Sequence, residues 1–437
     1  MDDIYLVEIR LGRTRWRVNR LVNAIAATYV IVPFMERHPH VTLFGPFEPE
    51  DGTTEETILD AIGRVASRCG PVPFLIGPFE RREGMHGGVL AFSVIPSGPL
   101  TALTRGLVAA LLPLTRTRNA WDSSPDLKWY HVTIANRLDR VTADLACADL
   151  TGTSPERPPG RLRACLFRLG VRARTALHAG SRHPARPLLI DESGLRITVL
   201  HGETILAEYD LLDKRWITND HRQSGTGWQA TLARFRQHAG FELCSPRVPE
   251  PGDALLIADL HLGHANIIRY CSRPFFFPDP AGMDRVLIAN WNAAVPPGTR
   301  AYHLGDFRYG RDALPEDAYR SRLTGDITFI AGNHDTPRTD TPASALIEQD
   351  GLKFFLVHDP ADAPAGFDGW VIHGHHHNND LAAYPFVDFV HRRINVSAET
   401  AGYVPVSLAA LCRLIRYRTE TGNPASVLLN YPSPGED

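Results

Sequence analysis

Lysine is nearly missing from this chain: only Lys128, Lys214 and Lys353 stand among 46 basic residues. The rest are arginines, whose planar fork suits phosphate, although a GC-rich coding sequence produces the same bias. Cysteine is scarce too. The six (Cys69, Cys147, Cys165, Cys244, Cys271 and Cys412) are scattered over 437 residues without a Cys-x-x-Cys pair. That excludes a dense disulfide framework and fits a reducing cytoplasm. No apolar run approaches the roughly 18 residues a membrane span needs. The acidic start, Met1-Asp2-Asp3, leads directly into strand-like residues, so no signal peptide is expected. No repeat or low-complexity block occurs, which excludes a fibrous chain, and 43% hydrophobic residues exclude global disorder.

A chain of this length is expected to form two domains. The near-neutral net charge of −3 conceals an asymmetry: residues 1–250 carry +4 and residues 251–437 carry −7. Ten of the nineteen histidines follow residue 250. The Pro-rich stretch 246–253 reads as a linker, Thr151–Gly160 as a long loop, and 431–437 as a tail. Before the linker, strand-like segments (Ile4–Ile9, His40–Phe44, Pro73–Phe79, Val89–Ile95, Trp129–Ile134) alternate with helical spacing at Val18–Tyr29, Thr54–Cys69 and Pro99–Leu114. The Thr54–Cys69 helix opens on a Thr-x-x-Glu type cap. The order suggests two related lobes, followed by β-rich segments (Arg196–Leu200, Ile205–Tyr209) and a helix at Trp228–His238.

The second half follows another grammar, in which apolar β runs stop at ligand-type residues. Ala254–Ala258 leads into Asp259-Leu-His261, Ala301–Leu304 into Gly305-Asp306, and Ile327–Ala331 into Gly332-Asn333-His334-Asp335. Phe354–Val357 leads into His358, and Trp370–Ile372 into His373-Gly374-His375-His376-His377. Buried strands with chemistry at their ends point to an α/β layered enzyme. Mixed nitrogen and oxygen donors suit manganese, iron or zinc rather than a thiolate site. Alternation along an extended backbone would put Asp259 and His261 on one side, and likewise His375 and His377.

The order Asp-x-His, Gly-Asp, Gly-Asn-His-Asp, His, Gly-His-x-His resembles the calcineurin-like metallophosphoesterases over nearly all of residues 253–410. The resemblance implies an α/β metallophosphoesterase β-sandwich flanked by helices, with two divalent ions bridged by Asp306. Asp259, His261, Asp306 and His377 would hold one ion; Asp306, Asn333, His358 and His375 would hold the other. His334 would stabilise developing charge or protonate the leaving oxygen, with Asp335 orienting it. His264 and Asn266 resemble a small phage- and bacteria-type branch, where a substrate contact and a structural loop role are both open. His303 reads as packing. His376 replaces a small polar residue, and a shift by one would let His373 and His376 substitute for His375 and His377.

In the first half, His40-Val-Thr42-Leu and His131-Val-Thr133-Ile are near copies in matching places of the two lobes. On a strand, positions i and i+2 share a face, so each motif presents an imidazole with a hydroxyl. Two such pairs supply a general base, a general acid and two hydroxyls for a phosphate. The arrangement resembles the 2H phosphoesterases, the LigT-like cyclic phosphodiesterases and 2′-5′ RNA ligases, and implies their α+β two-lobed fold over about residues 1–140. Residues 160–245, including Glu208-Tyr-Asp-Leu-Leu-Asp-Lys-Arg-Trp216, resemble the β-rich extension of some prokaryotic members. His38 lies outside the motif as a loop residue. Arg13, Arg15, Trp16, Arg17, Arg20, Trp121, Lys128, Trp129 and Tyr130 could line a single-strand path; a solvated helix face with core aromatics is the other reading. The modest +4 makes long-duplex binding an unlikely fit.

The expectation is therefore a bifunctional phosphoesterase, with domains at 1–245 and 254–430. The first would open 2′,3′-cyclic phosphates of RNA ends or small nucleotides without metal. The second would hydrolyse a phosphomonoester or phosphodiester with two metals. Degradation of a signalling cyclic nucleotide, or an RNA-sensing first domain beside one catalytic domain, are the alternatives.

Overall fold

The structure, a computed structural model, describes residues 4–29, 31, 38–84, 87–117, 119–151, 189–217, 225–242, 249–422 and 425–430. The chain divides into two compact units, one ending at Thr231 and the other spanning Leu232–Ser433. That division falls inside the helix Gly225–His238, ahead of the Pro-rich stretch 246–253. Residues 246–248, the tail 431–437 and nearly all of the loop expected at Thr151–Gly160 lie outside the described residues.

The first unit holds strands β1 (Tyr5–Arg10), β2 (His40–Pro49), β3 (Val72–Gly84), β4 (Gly87–Pro96), β5 (Thr115–Thr117), β6 (His131–Leu138), β7 (Ile190–Gly194), β8 (Arg196–His201), β9 (Thr204–Asp210) and β10 (Arg215–Trp216). They form two antiparallel sheets, ordered β10-β9-β8-β1-β2-β5 and β6-β4-β3-β7. Each sheet receives one His-x-Thr strand, β2 or β6. The β-rich segment after residue 189 is no separate extension: β8 pairs with β1 and β7 with β3, so it completes both sheets.

Local chemistry explains the helices. Glu55–Ala66 buries Ile58, Ala61, Ile62 and Ala66 on one stripe, and two acidic residues occupy its positive first turn. Its cap differs from the expected Thr-x-x-Glu box: Thr54 accepts from the Thr57 amide at 3.2 Å, so the third helical residue is a threonine. The Gly98–Leu111 helix buries Leu100, Leu103, Leu107 and Leu111. It tightens into a single 3-10 turn at Leu112–Leu114, short of the expected α-helical end, because Pro113 has no N–H to continue the ladder.

In the second unit, strands β11 (Ala254–Ile257), β12 (Arg300–Leu304), β13 (Asp326–Ile330), β14 (Ser344–Gln349), β15 (Leu352–Val357), β16 (Trp370–His373), β17 (Val387–Asp388), β18 (Arg393–Asn395) and β19 (Val406–Ser407) build two mixed sheets. Their orders are β13-β12-β11-β19 and β14-β15-β16-β18-β17. The strands β11, β12 and β13 are parallel, as are β15, β16 and β18, so their carboxyl ends gather at common edges. Beyond those ends the two sheets are stitched together. The Ala258 amide donates to Val396 O, and the Val396 amide to His373 O, each at 2.8 Å. Helices Pro280–Ala294 and Leu408–Glu420 cover the layers through Met283, Leu287, Trp291, Leu411 and Ile415. Among the described residues no helix is long and apolar enough to cross a membrane.

Candidate active sites

The two His-x-Thr strands of the first unit have the same burial rhythm. His40 and Thr42 are partly exposed while Val41 and Leu43 are fully buried; His131 and Thr133 repeat the pattern over buried Val132 and Ile134. Each imidazole is fixed in the same way. Nδ1 of His40 bonds the carbonyl of His38 at 2.8 Å, and Nδ1 of His131 that of Trp129 at 2.9 Å. A backbone carbonyl accepts only, so Nδ1 carries the hydrogen and Nε2 remains the working nitrogen.

The two sites differ in their surroundings. The His131 ring stacks on Trp129, centroids 4.0 Å apart, and the Arg82 guanidinium lies over the same indole at 4.5 Å. Burial pushes His131 down to about 4; its hydrogen bond to Trp129 opposes this, and the charges of His40, Lys128 and Arg82 add to it. His40 instead has a carboxylate beside it, with Glu8 Oε2 at 3.6 Å from Nε2. Glu8 is buried and its other oxygen accepts from Arg10 at 2.7 Å. Neither Glu8 nor the stack on His131 was read from the sequence, although Glu8 could have been found by pairing the strands, since it lies opposite Thr42.

The suggested single-strand path fares unevenly. Arg13 is buried on Asp191 at 2.7 Å, and Arg17 and Tyr130 are buried as well. Lys128 is also buried, 3.9 Å from Asp122, and burial pushes it down to about 8. These four belong to the interior, whereas Trp121 is exposed and Arg20 lies over Trp16 at 5.4 Å. His38 bonds Leu11 O through Nε2 at 3.0 Å.

In the second unit the five strand ends bring the expected ligands together. Asp306 Oδ2 lies 3.4 Å from His261 Nε2 and 3.5 Å from His358 Nε2. Asn333 Oδ1 is 2.9 Å from His358 Nε2 and 3.0 Å from His375 Nδ1. His377 Nε2 is 3.9 Å from Asp259 Oδ1, and its ring lies against that of His261. The alternation expected for Asp259/His261 and His375/His377 is not how this happens. All four, and Asp306, adopt left-handed backbone with φ of 48–70°. Their side chains converge from tight turns rather than from one face of an extended strand.

Glycine is required at two of these turns. A Cβ on Gly332 would meet the Asp306 amide nitrogen and carboxylate, and one on Gly374 the Asp259 carboxylate and Ala258. Asp335 has another part than the expected one of orienting His334. Its two oxygens accept from the amides of Asp306, Phe307 and Gly332 at 2.8–2.9 Å, clamping two loops. His334 is placed through its own amide, which donates to Asp306 Oδ1 at 2.9 Å.

Electrostatics divide the cluster. Burial raises the Asp259 carboxyl, whereas bonds and charges from His358 and His334 overcome burial and hold Asp306 low. Burial also opposes protonation of His358, yet Asp306 and Asp259 lift it to about 9. Burial drives His261 well below its ordinary value.

The donor set fits divalent cations. Both ring nitrogens of His261 are buried without a hydrogen-bond partner among the described residues. The ligand atoms of Asp259, His261 and His377 lie within 4.8 Å of one another, as do those of Asp259, Asp306 and His358. Such convergence of acceptor atoms is costly until a cation satisfies it. Below it sits Arg273, fully buried, which donates to Glu399 at 2.7 Å and to the carbonyls of Asp259 (2.6 Å) and Leu260 (2.8 Å). Glu399 in turn bonds His377 Nδ1 at 3.0 Å. The sequence signal for Glu399 is the same grammar as elsewhere, polar residues just past a parallel strand; Arg273 has none.

The remaining histidines separate. His376 stacks on Tyr384, away from the cluster, and His373 is buried on the Gly374 carbonyl. His303 is fully buried among Trp291, Phe307 and Phe329, and burial pushes it down to about 3. His264 lies 5.5 Å from the His261 ring, centroid to centroid.

Comparison with known proteins adds sequence likeness. Residues 17–176 match the model of the 2′-5′ RNA ligase superfamily, a span that contains both His-x-Thr motifs. An uncharacterised protein of Methanocaldococcus jannaschii is 43% identical over 162 residues, 37% of this chain and 89% of that protein. A protein of unknown function from Aquifex aeolicus is 24% identical with a TM-score of 0.30, covering 37% of this chain and 99% of its own. Usb1 of Kluyveromyces marxianus, solved with uridine monophosphate, is 14% identical with a TM-score of 0.26, covering 47% and 97%.

Proposed function

We propose, from the match of residues 17–176 to the 2′-5′ RNA ligase superfamily, a bifunctional phosphoesterase whose first domain, residues 1–245, opens 2′,3′-cyclic phosphates without metal. The substrates are RNA ends or small cyclic nucleotides. Neutral His131 takes a proton from the attacking water, and His40, beside Glu8, delivers one to the departing ribose oxygen. The Thr42 and Thr133 hydroxyls donate to the phosphate oxygens as charge builds. One observation carries the reading: two matched imidazole–hydroxyl pairs on separate sheets, each imidazole fixed by the carbonyl two residues before it.

The second domain, residues 254–430, hydrolyses a phosphoester at the strand-end cluster. Asp259, His261, Asp306 and His377 would hold one divalent cation, and Asp306, Asn333, His358 and His375 a second, of manganese, iron or zinc. Such ions, when bound, supply a hydroxide at neutral pH and offset phosphate charge. His334 protonates the leaving oxygen, held at the cluster by its amide bond to Asp306.

The test uses RNA ending in a 2′,3′-cyclic phosphate, with wild type, His40→Ala and Asp306→Asn, each with and without EDTA. Ring opening is expected to survive EDTA and Asp306→Asn, and to fall by at least about 100-fold in His40→Ala. Opening that requires Asp306 and metal would move that chemistry out of the first domain.

A further inference from the structure

A cavity of about 800 Å³ adjoins the strand-end cluster and is not used by any step above. His264 lines it and connects it to the cluster, its ring 5.5 Å from His261 and 4.6 Å from Tyr309, which reaches on to His334 at 4.7 Å. The volume is that of a nucleotide-sized ligand.

Its charge is one-sided. Arg285, Arg311 and Arg322 line it and are exposed. None forms an ion pair among the described residues, while many other arginines of the chain do. Of the two lining carboxylates, Asp284 is buried and engaged by the Gly263 amide and the Tyr319 hydroxyl. Asp284 still attracts Arg322, which leaves exposed Asp312 as the lining counter-charge for Arg285 and Arg311. Three exposed guanidinium groups beside a phosphoester-cleaving cluster form a receptor for a further anion.

We infer that this cavity binds the leaving group of the second domain's substrate, and that this leaving group carries a phosphate of its own. The inference rests on the two-metal reading of that domain and narrows its substrate to nucleotides with a second phosphate. In the reaction, water oxygen bonds to the phosphorus of a 3′-phosphate and the P–O3′ bond breaks. The 3′ oxygen takes a proton, releasing inorganic phosphate and a nucleoside 5′-phosphate held by the arginines.

The experiment compares uridine 3′,5′-bisphosphate with uridine 3′-phosphate on the full chain with manganese, for wild type and Arg285→Gln/Arg311→Gln. Wild type is expected to prefer the bisphosphate by about ten-fold or more in kcat/KM, and the double variant to lose most of that preference, chiefly through KM. In parallel, calorimetry in EDTA should show the double variant binding the bisphosphate at least about ten-fold more weakly. Hydrolysis of both compounds without preference would overturn the inference and leave the two-metal reading standing. No hydrolysis of either, with binding still lost in the variant, would sink the two-metal reading and keep the anion site.

Discussion

Trp129, stacked on the His131 ring and lying under the Arg82 guanidinium, helps shield that imidazole from water. The shielding has a cost that acid should expose. Folded His131 takes its proton only near pH 4, whereas an unfolded histidine does so near 6.5. Between those values the unfolded chain binds more protons, so stability rises with pH; the contribution is complete above about 6.5 and lost as pH falls toward 4. It amounts to roughly 2–3 kcal/mol. In urea titrations at pH 7 and pH 4.5, His131→Gln is therefore expected to narrow the gap between the two midpoints. An unchanged gap would mean that His131 is no more buried than an ordinary histidine. Asp335 yields a second expectation at this scale. Removing its carboxylate in Asp335→Ala leaves three loop amides without their acceptor, which should destabilise the second unit by about 3 kcal/mol. A loss of activity at unchanged stability would restore the role of orienting His334.

At the level of elements, the strands were the most legible part. Short apolar runs ending at Asp259, Asp306, Asn333, His358 and His373 read as parallel strands, and β11 and β16 are buried along their whole length. What alternation could not reveal was the set of turns past these strands, since a period of two assumes extended backbone and Asp259, His261, Asp306, His375 and His377 are left-handed. Strands β17 and β18 are two and three residues long, too short for a period of two to register, although Asp388 and Asn395 end them. Arg273 was invisible for a different reason: its partners, Glu399 and two carbonyls, are brought to it only by tertiary structure. The close turns also bear a prediction. Gly374→Ala places a methyl against Asp259, and should weaken manganese binding at least about ten-fold by calorimetry with little change in the far-ultraviolet dichroism. Full affinity in that variant would mean the Asp259 carboxylate need not sit where it does.

Across the whole molecule, the division of charge follows the division of chemistry. The half with +4 carries imidazoles and hydroxyls, and the half with −7 carries the carboxylate-rich cluster that cations would offset. Two units with separate cores should respond separately to a ligand that binds one of them. Adding manganese is expected to raise the thermal midpoint of one transition by several degrees and leave the other in place, and Asp306→Asn should abolish the rise. A uniform shift of both transitions would argue that the units melt as one.

The left-handed backbone at Asp259, His261, Asp306, His375 and His377 also bears on descent. At such positions the main chain accepts glycine, asparagine and aspartate readily and resists β-branched residues. On the two-metal proposal, a lineage that abandoned its metals would therefore be constrained in what replaced these side chains, drifting toward asparagine or glycine rather than valine or threonine. Lost chemistry would leave a polar, small-residue scar at the strand ends, and a descendant with an inert second domain would still be recognisable by it.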